Sequence, residues 1–196
     1  MASLSERAGL GPTTAVEVGT SLDLFSHTPK EVEALLGQRY ALVPGSLQPY
    51  KNPHAAIDYM LRHLDAFPVD TIAFVGSGST RQNPHAPSLH NKAISFGIEV
   101  QFMELSRSEI LWALTNSQVT ILASKLESLS FALGEALYLS PAVVASPIPA
   151  HIEVSKFLGA QPINLESDSM TYTPPSKTIK ELYTGWQILA EALSRA

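Results

Sequence analysis

The chain has 196 residues, 45% of them hydrophobic, with no cysteine and a formal net charge of −5. That length and apolar content suffice for the core of one domain. The missing thiols exclude disulfide frameworks, thiolate metal sites and cysteine nucleophiles. An acidic balance with no basic run argues against a nucleic-acid surface.

Residues 1–27 are rich in Gly, Ser and Thr without sustained periodicity and read as a loose arm; 28–196 read as the domain. The start lacks the charged and apolar blocks of a signal peptide, and no apolar run approaches a membrane span, so a soluble, cytoplasmic protein is expected. In "TPKEVEALLG", Thr28 as N-cap, Pro29 behind it, Glu31 as the box partner and Gly37 as a stop predict a short helix. "NPHAAIDYMLRHLDAFP" repeats the logic from Asn52 and Pro53, with Ile57, Leu61 and Leu64 on one face. Leu35, Leu36, Met60 and Leu61 are either dimer surface or ordinary core.

From residue 70 short β-rich runs alternate with helical stretches, at 70–75, 98–103, 118–123, 142–146 and 162–165. This pattern predicts an α/β three-layer sandwich, a five-stranded parallel sheet in flavodoxin-like order 2-1-3-4-5 with helices on both faces. Capping boxes at Ser106/Glu109, Ser124/Glu127 and Thr178/Glu181 mark helix starts. Ile179, Leu182, Trp186, Leu189 and Leu193 form one stripe of a last helix.

Ligands of such sheets bind past the carboxyl ends of the strands, so the loops there carry the chemistry. After the first predicted strand come Gly76, Ser77, Gly78, Ser79 and Thr80. Glycines allow close backbone approach and hydroxyls add hydrogen bonds, a composition suited to phosphate; it is equally that of a tight turn. Arg81 stands where a dinucleotide fingerprint needs its third small residue, and the Walker pattern fails for want of lysine. "SKLESLS" after the third predicted strand crowds Ser124, Ser128 and Ser130 at a helix start, which simple N-capping by Ser124 would also explain. "TPPSKT" adds Ser176, Lys177 and Thr178.

"FVGSGST" and "PPSKTIKELYTGWQILAEAL", in that order and spacing over roughly residues 50–196, resemble the sugar isomerase (SIS) domain. The resemblance implies a phosphosugar ligand held by Gly76, Ser77, Gly78, Ser79, Thr80, Ser124, Ser128, Ser176 and Lys177. It also implies a homodimer, the commonest soluble assembly in any case. No cofactor is implied. Two features differ from the family: 124–128 lacks a glycine, and "RQNPHAPSLHNK" has no carboxylate. His85 and His90 are candidate replacements as acid and base, with Glu127 as the carboxylate of the 124–130 loop; both histidines read equally as solvated edge residues. His54, His63 and His151 read as structural or solvent-facing, and no spacing suggests a metal site.

The expected activity is therefore phosphosugar binding, with aldose/ketose isomerisation by proton transfer. The alternatives are a non-catalytic phosphosugar sensor and an S-adenosylmethionine- or nucleotide-binding Rossmann-like enzyme. For the last, Glu104 stands where an acidic residue meets a ribose.

Overall fold

The computed structural model describes residues 27–176 apart from Leu129. Residues 1–26 of the expected arm at 1–27, and the last helix with Lys177, Thr178 and Glu181, lie outside the described residues.

Six parallel strands form one sheet: β1 (Tyr40–Pro44), β2 (Thr71–Val75), β3 (Glu99–Met103), β4 (Val119–Leu122), β5 (Val143–Ala145) and β6 (Ile163–Asn164). Their order is β3-β2-β1-β4-β5-β6. The α/β sandwich is as expected, and all five expected strands occur within a residue of their limits and in the expected order. The correction is a sixth strand, β1, inserted at the centre between β2 and β4. Its sequence "YALVP" ends in proline, which argues against a central strand because it cannot donate to a ladder. The register removes the conflict. Pro44 pairs only with Val75 on β2, whereas β4 pairs with β1 only at Ala41 and Leu42.

Period-two alternation divides the strands between two cores. Ala41, Val43, Ile72, Phe74, Val119 and Ile121 pack with α1 (Pro53–Arg62) and α2 (Ala86–Ile94). Tyr40, Leu42, Ala73, Val75, Leu122 and Val143 pack with α3 (Arg107–Asn116), α4 (Phe131–Leu139) and α5 (Pro149–Leu158). Leu35 and Met60 are core residues at 1% and 0% exposure, while Leu36 is exposed. Among the described residues no helix is long and apolar enough to cross a membrane.

Two expected helix starts differ. The segment 28–37 holds only a 3-10 turn at Glu33–Leu35, without a side-chain cap. Lys30 is drawn to α3 instead: its N–H donates to the Ser108 carbonyl and its ammonium pairs with Glu109. The Ser106/Glu109 box forms as expected and starts α3. Ser124 and Glu127 do meet, at 2.7 Å, but within a loop; the helix begins at Phe131.

Candidate functional site

In a sheet ordered 3-2-1-4-5-6 the strand order reverses between β1 and β4, and the crevice outside their carboxyl ends is where a ligand of such a fold sits. Two loops form that crevice, 45–52 after β1 and 123–130 after β4. They are tied together by the Lys125 N–H donating to the Tyr50 carbonyl at 2.7 Å.

Lys51 and Glu127 face each other across it, with Nζ 2.6 Å from Oε1 and side chains 23% and 14% exposed. Ser124 Oγ donates to the same Oε1 at 2.7 Å. The lysine is thereby held at the mouth of the crevice by a charge-assisted bond in a partly dry setting, where such bonds are strong. Beside them α4 begins. Ser130, at its N-cap position, is 3% exposed and its Oγ has no hydrogen-bond partner. A helix start attracts anions through its free amides, and here it carries a buried, unpaired hydroxyl, with the lysine-bound Glu127 three residues ahead of it. Deeper in the same helix, Glu135 takes a bidentate pair from Arg107 at 2.7 and 2.8 Å, fixing α4 against α3.

The glycine-rich loop after β2 is built differently from a phosphate cradle. A Cβ on Gly76 would lie 2.6 Å from the Gly45 carbonyl carbon, so the two loops touch backbone to backbone. Ser79, fully buried, donates its hydroxyl to the Gly45 carbonyl at 3.1 Å. Gly78, at φ +71°, gives its N–H to Glu104 at 2.5 Å, and Asn83 caps the Gly78 carbonyl at 2.8 Å. Ser77 is exposed and Thr80 half-buried.

The structure thus joins the loops of residues 76–80 and 124–128 through the β1 loop that lies between them. Ser128 is exposed on the second of these loops. Ser176 is elsewhere: its N–H donates to the Leu158 carbonyl and its side chain crowds Gly159, at the C-terminus of α5. Helices α4 and α5 run back from the carboxyl edge, so Ser176 belongs to the opposite end of the sheet. His85 and His90 are exposed at the start and middle of α2. His85 uses its backbone N–H on Asn83, and His90 lines a cavity of about 210 Å³ with Arg81, Asn91 and Phe102.

Gly45, Lys51, Arg107 and Glu135 were not visible as site residues in the sequence. For the first two the signal was the run "ALVPG", since a strand recognised there would have moved the switch point to its following loop. His151, expected to be structural or solvent-facing, is 1% exposed, and its Nε2 has no partner.

Solved structures share the fold, three of them as follows. An α,α-trehalose-phosphate synthase (UDP-forming) from Burkholderia xenovorans superposes with a TM-score of 0.51 at 12% identity, over 69% of this chain and 35% of that one. The α,α-trehalose 6-phosphate synthase of Burkholderia multivorans gives 0.50 at 13%, over 65% and 32%. A trehalose-6-phosphate structure from E. coli bound with UDP-2-fluoro glucose gives 0.50 at 11%, over 67% and 34%. The chain spans about a third of the length of these proteins. No curated protein matches it.

The family model "Glycosyl transferases group 1" matches residues 27–157, more than half of the chain. That match overturns the resemblance to a sugar isomerase domain, and with it the expected isomerase activity and phosphosugar sensor. The resemblance rested on a glycine-serine loop after a strand and a serine-rich helix start, which many parallel α/β sheets share. It also took β2 for the first strand. The nucleotide-binding alternative agrees better with the finding. On the match over residues 27–157, the chain belongs to the glycosyl transferases of group 1.

Proposed function

We propose that the chain binds the nucleoside diphosphate part of a nucleotide-sugar in the crevice between β1 and β4, as the donor-binding part of a glycosyl transferase. One observation carries this reading: Lys51 is held by Glu127, three residues ahead of the α4 N-cap Ser130, whose buried hydroxyl has no partner. A diphosphate satisfies all three features at once, taking the lysine's charge, the helix amides and the hydroxyl. The family match supports a sugar transfer, and the fold relative bound with UDP-2-fluoro glucose supports a nucleotide-sugar as the donor.

In the reaction the bond from the anomeric carbon to the diphosphate oxygen breaks and one forms to an acceptor hydroxyl. The acceptor's proton ends on the departing diphosphate. Negative charge grows on that diphosphate in the transition state, so Lys51 and the α4 start act where charge develops. Glu127 positions Lys51 and is left to Ser124 when the lysine turns to phosphate.

Thermal denaturation with UDP-, GDP- and ADP-sugars tests the proposal. A bound donor at about 100 times its Kd adds about 2.7 kcal/mol. Stabilisation by one of them, lost in Lys51→Met, is expected; no stabilisation by any of them counts against it.

A further inference from the structure

A cavity of about 250 Å³ lies under the first turns of α5, between the loop after β5 and strand β6. Its walls include Ala145, Pro147, Ile152 and Pro162; on α5 the buried His151 and Ser155 line it, with the exposed Lys156 at its rim. Four residues apart on a helix, His151 and Ser155 stand side by side. They are 1% and 8% exposed, and neither His151 Nε2 nor Ser155 Oγ has a hydrogen-bond partner.

The chemistry of that pair is specified by its neighbours. His151 Nδ1 lies 2.8 Å from the Ser146 carbonyl oxygen, which only accepts, so Nδ1 carries the proton and Nε2 offers a lone pair. Burial pushes the imidazole below its usual pKa, opposed by the Ser146 carbonyl and Glu127 and aided by Lys51, so the neutral ring is favoured at neutral pH. The site therefore asks for an O–H or N–H donor at Nε2, with a hydroxyl able to donate and accept beside it. Apolar walls around a few convergent polar groups are the composition of a small-molecule site, and buried polar atoms in folded proteins find partners. Gln161 and Asn164, whose amides both donate and accept, stand at the same cavity.

We infer that this cavity is a second binding site, taking an uncharged polyhydroxyl ring of monosaccharide size. One ring hydroxyl donates to His151 Nε2, another meets Ser155 Oγ, and the C–H face of the ring lies on Pro147, Ile152 and Pro162. The site adjoins the crevice, because Ser146 Oγ donates to the Ser124 carbonyl and Ser124 holds Glu127. The binding itself does not rest on the glycosyl-transfer reading.

The test is a titration of the full chain, following the His151 ring nitrogens by NMR. The probes are the methyl glycosides of α-glucose, α-mannose and β-galactose, with glucose 6-phosphate as the anionic comparison and UDP, GDP and ADP titrated separately. At least one glycoside is expected to move Nε2 and saturate. His151→Phe should weaken it about tenfold and Ser155→Ala about three- to tenfold. Ile152→Trp, at a residue 42% exposed, blocks the cavity from its rim and keeps the test open if His151→Phe fails to fold. Lys51→Met should leave glycoside binding unchanged. No glycoside reaching His151 overturns the inference, as does binding of glucose 6-phosphate alone that depends on Lys156. Glycoside binding with no binding of UDP, GDP or ADP upholds this site and refutes the donor reading.

Discussion

Lys51 Nζ lies 2.6 Å from Glu127 Oε1, joining the loop after β1 to the loop after β4 at the point where the strand order reverses. The pair is mostly shielded from water, so removing either partner leaves a charge poorly compensated. Lys51→Met should cost about 1–3 kcal/mol in urea denaturation. It should also weaken nucleoside diphosphate binding about tenfold or more. Glu127→Gln, which keeps an acceptor for Lys51 and Ser124, should cost less stability and leave the ammonium freer for phosphate. Equal losses of affinity in both variants would show that the carboxylate itself meets the ligand.

Gly76 is required by close approach of two backbones. A methyl group there would sit 2.6 Å from the Gly45 carbonyl carbon, and backbone at a sheet edge cannot step aside as a side-chain tip can. Gly76→Ala is expected to destabilise by about 1–3 kcal/mol, the range of overpacked positions. Gly97→Ala, at φ +77° with nothing near its Cβ, isolates the backbone-conformation cost as a control. A Gly76→Ala protein no less stable than Gly97→Ala would contradict the packing account.

Ser77 and Ser79 should separate cleanly although they are two residues apart. Ser79 is buried and bonded to the Gly45 carbonyl, so Ser79→Ala should lower stability by about 1 kcal/mol. Ser77 is exposed, and Ser77→Ala should be neutral for folding, within about 0.5 kcal/mol. Chemical denaturation of the two variants decides this; the reverse ranking would mean that the loop is arranged otherwise.

The pH dependence follows from Glu109. Lys30, then the Ser106 hydroxyl and backbone N–H, hold its carboxyl well below the usual range, at about 2 against an ordinary 4.5. A depressed acid contributes stability that is present above its unfolded pKa and lost as pH falls through the folded one. Glu109→Gln should therefore be less stable than the parent at neutral pH, with the difference shrinking below about 4.5 and vanishing near 2. A difference independent of pH would show that the amide and carboxylate cap α3 alike.

Most of the sheet was legible because β2 to β6 are short apolar runs set between helical stretches, and the Ser106 box fixed the start of α3. β1 was hidden by Pro44, whose missing N–H matters only where a second neighbour pairs, and β4 does not reach it. That omission shifted the apparent switch point toward the glycine loop after β2. Ser124 and Ser130 lie on the loop after β4, because the run "SKLESLS" follows that strand. Lys51 could not be found from spacing, since its place depends on the 3-10 turn Pro49–Lys51 and on Asn52 in the left-handed region. The Ser124/Glu127 pair has the pattern of a capping box, but Glu127 is drawn to a lysine 76 residues away, and only tertiary structure reveals that competition.

The central claim is that an anionic nucleotide sits between β1 and β4. Backbone amide NMR of the full chain during titration with UDP, GDP and ADP tests it most directly. The account predicts saturable shifts at Lys51, at Ser124 to Glu127 and at Ser130 for at least one of the three, abolished by Lys51→Met. Shifts confined to residues 76–85, or none with any nucleotide, would contradict it.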